Sequence, residues 1–253
     1  MSLTVDLNAD MGESYGPWVM GRDADLMQTI TSANIACGFH AGDPDVMAET
    51  MGLAVQHGVG IGCHPGLPDL QGFGRRRMQV PYDTLANMMR YQLGASRAMA
   101  AAAGARVRHF KLHGALGNMT SEDEEMARVC YFAALSIDPD ITVLTLAGTA
   151  QERAAQALGC AYAAEIFADR AYNEDLTLVD RRLPGAVIHD AKAAAANMVA
   201  MVTEGAVITG QGKRVPNRID TICCHGDTPE AVEMARAVRS ALEAAGVTVR
   251  AFG

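Results

Sequence analysis

Basic residues are in the minority here. The 21 Lys and Arg are set against 29 Asp and Glu, which leaves 253 residues with a formal charge of −8. With no basic stripe to neutralise phosphates, a nucleic-acid partner is excluded. There is no CxxC pair. Cys37, Cys63, Cys130, Cys160, Cys223 and Cys224 are scattered or adjacent, which in a chain of this length reads as reduced, buried thiols rather than a disulfide frame. No apolar run is long enough for a bilayer, since the alanine-rich stretches 98–105 and 191–202 are short and interrupted. Asp6 and Asp10 break the N-terminus, so no secretory apolar region precedes the fold. Two phosphate-binding fingerprints also fail. Ahead of Gly212-Lys213, Val207 stands where a P-loop needs its first glycine, and Arg214 replaces the hydroxyl residue. Gly58-Val59-Gly60 is followed by Cys63 instead of a third glycine. These absences leave a soluble cytoplasmic protein with no nucleic-acid or membrane partner as the expectation.

The chain does contain apolar runs and helical periodicities in regular alternation, and 49% of it is hydrophobic. Strands are expected at 3–7, 32–37, 59–63, 107–113, 141–146, 160–166 and 220–224, with a last short one at 247–251. Helices are expected at 45–57, 82–103, 122–135, 150–158, 190–203 and 229–245. Residues 205–215, centred on Gly210-Gln211-Gly212, read as a small hairpin insert. Repeated βα units with no break in composition predict one α/β domain over 1–253, a closed or nearly closed (β/α) barrel of about seven parallel strands.

Within the strands, alternation separates two faces. Leu3, Val5 and Leu7 oppose Asp6, Asn8 and Asp10; Phe110 and Leu112 oppose His109, Lys111 and His113; Glu165, Phe167 and Asp169 alternate with Ile166 and Ala168. One greasy face suits surrounding helices. The polar face implies a deep polar pocket.

His40, His64, His113 and His225 each sit just past a short apolar run, at a strand's C-terminal end. That edge is where parallel α/β proteins place their chemistry. Each alone could be a satisfied core histidine; four equivalent settings point to a site. His57, which closes a helix before Gly58, and His189, which precedes one, are read as structural. Lys111 within a strand is costly to bury without partners, so it is either functional or half of a structural ion pair. Asp10 and Glu13 follow the first strand as a candidate base or ligand, or as loop caps. Asp43 before Pro44 reads as an N-cap, and Asp227 near Pro229 as either a cap or a site residue. The long loop after His64 carries Arg75, Arg76 and Arg77 between glycines. It reads as a lid with an arginine for a carboxylate or phosphate, or as a solvated turn, the latter fitting Arg77 best. Asp169-Arg170 invites the same two readings. His109 and His113 lie too far apart on a strand to share an ion, and whether a metal occupies the pocket stays open.

Five segments resemble the LamB/YcsF family over nearly the whole chain: Asp6-Leu7-Asn8-Ala9-Asp10-Met11-Gly12-Glu13; the stretch from Ala33-Asn34-Ile35-Ala36-Cys37-Gly38-Phe39-His40 through Ala41-Gly42-Asp43-Pro44; Gly72-Phe73-Gly74-Arg75-Arg76; Phe167-Ala168-Asp169-Arg170-Ala171-Tyr172; and Cys224-His225-Gly226-Asp227. The family's usual Lys-Pro-His-Gly-Ala-Leu-Tyr-Asn reads here Lys111-Leu112-His113-Gly114-Ala115-Leu116-Gly117-Asn118, with Gly117 in place of the tyrosine. The resemblance implies a barrel of the glycoside hydrolase/deacetylase type. It also implies cleavage of the lactam of 5-oxoproline to glutamate, coupled to hydrolysis of ATP with its Mg²⁺, in complex with 5-oxoprolinase subunits B and C.

The residues suit that chemistry. ATP can phosphorylate the lactam oxygen, and the anionic product needs cationic partners. Lys111 with Arg75 or Arg76 is expected to hold that charge or the substrate carboxylate. His40, His113 and His225 are expected to move protons, with Asp10 orienting water. Asn8, Glu13, His64, Asp169 and Arg170 complete the expected substrate contacts. Two other classes stay open: a metal-dependent amidase or deacetylase using Asp10, His40 and His64, and a non-catalytic subunit that presents the lactam to a partner holding ATP.

Overall fold

A computed structural model describes residues 3–225 and 231–252. In chain order it contains β1 (Thr4–Met11), α1 (Asp23–Leu26), β2 (Ser32–Ala36), α2 (Pro44–His57), β3 (Gly60–His64), α3 (Tyr82–Ala102), β4 (Val107–Phe110), α4 (Gly114–Glu122) and α5 (Glu124–Leu135). There follow β5 (Thr142–Leu146), α6 (Ala150–Leu158), β6 (Tyr162–Phe167), α7 (Ala191–Glu204), β7 (Ala206–Ile208), β8 (Arg214–Pro216), β9 (Thr221–Cys224), α8 (Ala231–Ala244) and β10 (Thr248–Val249). The strands run β1-β2-β3-β4-β5-β6-β9 in parallel, and β9 pairs with both β6 and β1, which closes a seven-stranded barrel. The expected barrel is therefore present. β10 adds to the outside of β1, and β7 with β8 forms the antiparallel hairpin expected near 205–215.

Period-two alternation builds the wall. Val5, Leu7, Ala9 and Met11 of β1 belong to the apolar core between strands and helices, where each fully buried Val, Leu or Met contributes about 1.5–3 kcal/mol. The opposite face fills the barrel with a bonded polar network. Asp6 accepts from Thr31 Oγ1 at 2.6 Å, from Ser32 Oγ at 2.7 Å and from Thr221. Asn8 donates to Glu165 at 3.0 Å and to Thr221 at 2.7 Å. Asn34 donates to Asn8 at 2.7 Å and to Asp10 at 2.9 Å, while His109 Nε2 bonds Asn34 Oδ1 at 2.8 Å. Burial raises the Asp6 carboxyl to about 6, against the pull of its hydroxyl donors.

Four local expectations need correction. β1 runs to Met11 rather than stopping at Leu7, because the polar residues after Leu7 keep alternating and all find partners inside the barrel. The helix α4 was not expected, since Gly114 and Gly117 dilute its helical signal. It forms because Gly114 adopts φ +53 and turns the chain straight from the strand end into the helix. Asp123 then caps α5 by accepting from Met126 N at 3.0 Å, so that helix begins at Glu124 rather than Glu122. β4 is shorter than 107–113, yet Lys111 N still bonds Cys63 O at 3.0 Å and His113 N bonds Pro65 O at 2.9 Å. The chain thus stays aligned with β3 out to His113. Asp227 and Glu230 lie outside the described residues.

Candidate active site

A cavity of about 840 Å³ opens over the C-terminal ends of the strands. Asp10, Glu13, His64, Lys111, His113, Glu165 and His225 line it low down, and Arg75, Arg76 and Arg170 line it among others. Strands from around the barrel, or their direct extensions, thus deliver polar groups to one place.

Lys111 occupies the centre of the floor. Its ammonium lies 2.8 Å from Asp10 Oδ1, 3.0 Å from Glu165 Oε1 and 2.9 Å from Cys223 Sγ. Burial alone would discharge it, but Asp10, Cys223 and Glu165 outweigh that and keep it charged far above the usual lysine range. Burial likewise works against Asp10, yet the neighbouring His64 and Lys111 hold its carboxyl well below the carboxylate range. Asp10 is therefore a fixed anion beside a fixed cation. Glu165, pushed up chiefly by burial, is the softer partner.

On one side of Asp10 the imidazoles gather. His64 Nδ1 bonds Lys111 O at 2.9 Å, His113 Nε2 bonds Phe73 O at 2.8 Å, and the two remaining nitrogens, His64 Nε2 and His113 Nδ1, face each other at 3.0 Å. His40 stacks on His113 with ring centroids 3.6 Å apart. Glu13 Oε1 lies 3.4 Å from His40 Nε2 and 3.7 Å from His113 Nδ1. Burial depresses both His40 and His113 well below the ordinary histidine value, so both rings are neutral. The loop after β3 must come close to these rings. A Cβ on Gly74, at φ +62, would sit 2.7 Å from His113 Cδ2 and 2.7 Å from His40 Cβ.

Across the floor, both carboxylate oxygens of Asp169 accept from His225 Nδ1 at 2.8 Å. That fixes the tautomer and leaves Nε2 for the cavity side. Burial opposes Asp169, but His225 outweighs it and holds the carboxyl low. Arg170 is 5% exposed; its Nη2 donates to Val179 O at 2.6 Å, and its Nε has no hydrogen-bond partner among the described residues. Arg75 stacks 4.8 Å over the Phe73 ring.

Expectation and structure diverge at three residues. Asn8, His40 and Asp169 were expected to contact substrate or take part in proton transfer, but they lie one layer behind the cavity wall, bonded to or packed on residues that do line it. Arg76 reaches the cavity edge, but its Nε bonds both oxygens of Asp69 at 2.9 and 3.0 Å, which braces the loop. Arg77 pairs with Glu122 at the surface, and Asp43 caps α2 by accepting from Asp45 N and Val46 N, the structural roles expected of both. His109 sits apart from the His64–His113 pair, bonded to Asn34. Glu165, Cys223 and Phe73 were missed as site residues. Glu165 was legible, since it shares the polar face of its strand. The backbone carbonyl of Phe73, at φ +53, carried no sequence signal.

The model of the LamB/YcsF family matches residues 5–253. The chain belongs to the LamB/YcsF family. A relative from Ruegeria pomeroyi, named as the A subunit of 5-oxoprolinase, is 64% identical over 98% of each chain. A crystal structure of a lactam utilization protein from Thermus thermophilus superposes with a TM-score of 0.93 at 44% identity, covering 99% of this chain and 100% of that one. A family 4 carbohydrate esterase from Streptomyces lividans, at 10% identity and a TM-score of 0.50, covers 99% of this chain and 93% of its own and shares the barrel fold alone. This LamB/YcsF member carries among its described residues no helix long and apolar enough to cross a membrane.

Proposed function

We propose that this chain is the cytoplasmic A component of a 5-oxoprolinase, working with subunits B and C, and that the lactam of 5-oxoproline is opened to glutamate in its cavity with hydrolysis of ATP. The end-to-end likeness to relatives named as the A component of 5-oxoprolinase carries this reading. The site's chemistry supports it.

A lactam resists water because its carbonyl carbon is a poor electrophile. Transfer of the γ-phosphoryl group of MgATP to the lactam oxygen would make that carbon attackable. Water then adds, and the ring C–N bond breaks as the nitrogen takes a proton. A second water hydrolyses the remaining acyl phosphate to the γ-carboxylate and inorganic phosphate. The cavity has room for a five-membered ring with a phosphoryl group beside it. Arg170, with a buried unbonded Nε, and Arg75 supply positive charge at its wall and suit the carboxylate or the phosphate.

Lys111 acts through its charge. Its three protons already face Asp10, Glu165 and Cys223, so it keeps Asp10 ionised and offsets the negative charge that would otherwise oppose a developing oxyanion. Asp10 orients the attacking water. His225, held by Asp169, takes a proton from the attacking water at Nε2 and passes it to the leaving nitrogen. The test is ATP hydrolysis and glutamate release by the three-subunit mixture, with and without 5-oxoproline. Turnover that requires the lactam is expected; ATP hydrolysis indifferent to it, with no glutamate formed, overturns the reading.

A further inference from the structure

The ring nitrogen of 5-oxoproline and its carboxylate are bonded to the same carbon. Whatever group serves the nitrogen therefore has the carboxylate as a close neighbour. In the proposed reaction His225 Nε2 serves the nitrogen, and its ring is fixed from behind by both oxygens of Asp169 at 2.8 Å. Phe167 packs on that ring with centroids 5.3 Å apart. The cation next to this pair is Arg170, which follows Asp169 in the chain, acts on its charge and lines the same cavity as His225.

Arg170 is set differently from the other arginines of the cavity. It alone among them is buried; Arg75 and Arg181 are half-buried, and Arg76, Arg77 and Arg182 are exposed. Its backbone is bridged to Val187 and its Nη2 donates to Val179 O at 2.6 Å, so the guanidinium is in place before any ligand arrives. Asp169 and Asp180 steady its charge, but neither hydrogen-bonds it: Asp169 is taken up by His225, and Asp180 by Arg182. Its Nε has no hydrogen-bond partner among the described residues. A dry, fixed guanidinium with an unused N–H suits a carboxylate, whose two oxygens match its planar fork.

Arg75 belongs to the other end of the cavity. Its Cγ lies 3.7 Å from where a Cβ on Gly114 would stand, next to His113, and its guanidinium stacks on Phe73. We propose that Arg170 receives the carboxylate of 5-oxoproline and so selects lactams that carry an acid group on the carbon beside the ring nitrogen, with the Arg75 end left for the phosphoryl oxygens. Seating the carboxylate there turns the lactam nitrogen towards His225 Nε2. A lactam without the acid leaves the buried N–H unmatched and the ring free to turn, so it loses in binding and in chemistry.

The assignment rests on the lactam reading, and the test keeps the two apart. Ring opening by the three-subunit complex is measured with 5-oxoproline and with 5-oxoprolinamide, which keeps the shape and lacks the negative charge. Wild type should prefer the acid by about 10²–10³ in kcat/KM. Arg170→Gln, folded and assembled, should lose about that factor on the acid, chiefly through KM, and no more than about tenfold on the amide. Arg170→Lys, which keeps the charge without the fork, should recover only part of the preference. A variant that loses equally on both compounds, or keeps the wild-type preference, overturns the assignment, while glutamate release by wild type upholds the lactam reading. No glutamate from wild type overturns both. A wild-type crystal soaked with 5-oxoproline needs no variant: the carboxylate should bond Arg170, and a carboxylate seated on Arg75 overturns the proposal.

Discussion

The imidazole of His109 occupies the space where a side chain at Gly62 would begin. β3 and β4 can lie side by side with a ring inside the barrel only because one of them carries a glycine there. His109 then reaches Asn34, which links Asn8 and Asp10 beneath the cavity.

Gly62→Ala should therefore expel His109 from its place. The variant loses the bond to Asn34 and strains two strands, at about 1–3 kcal/mol for overpacking and more if the Asn34 amide is left unmatched. A urea midpoint equal to wild type would show that the packing is looser than described.

The network also sets opposing pH responses. Burial lowers His109 from 6.5 to about 3, so the stability tied to its neutral form is present above pH 6.5 and is lost as pH falls towards 3. Asp6 moves the other way, from 3.8 to about 6, so its contribution is present below pH 3.8 and is lost as pH rises through 6. Between pH 4 and 6 the two oppose each other, each at up to about 1.4 kcal/mol per pH unit. Asp6→Asn should steepen the acid loss of stability, and His109→Gln should flatten it. Denaturation curves across that range in which both variants shift the slope in the same direction would contradict the assignment.

Asp169→Asn keeps the size of the side chain but removes the anion that orients His225. Turnover by the reconstituted complex should fall by roughly 10²–10⁴, with a changed pH–rate profile and little change in KM. If the rate and pH profile are unaltered, His225 carries no proton in the reaction.

Gly117 stands where the family usually has tyrosine, and it lines the cavity. A Cβ there would sit 2.9 Å from Leu112 O. Gly117→Tyr should displace that carbonyl, narrow the pocket and raise KM for the lactam several-fold or more. An unchanged KM would place the substrate away from α4.

The barrel was legible in the sequence because parallel strands buried against helices on one face and polar groups on the other write a period of two with unusual clarity. Asp6, Asn8 and Asp10 declare it, and so do His109, Lys111 and His113. The strand-end histidines were legible for the same reason. Depth was not. Whether Asn8 or His40 touches the cavity or lies behind it depends on barrel stagger and on how the Phe73–Gly74 turn folds over, and no local pattern encodes either. Arg75 and Arg76 are neighbours of equal chemistry, and only the position of Asp69, seven residues before Arg76, separates their roles.

The most direct measurement is glutamate release by the complex carrying Lys111→Met. Removing the ammonium leaves Asp10, Glu165 and Cys223 without their counter-charge, so one carboxyl takes up a proton and the floor loses its field. The account predicts loss of turnover by about a hundredfold or more in a folded, assembled complex. Turnover within a few-fold of wild type would contradict it and move the chemistry out of this cavity.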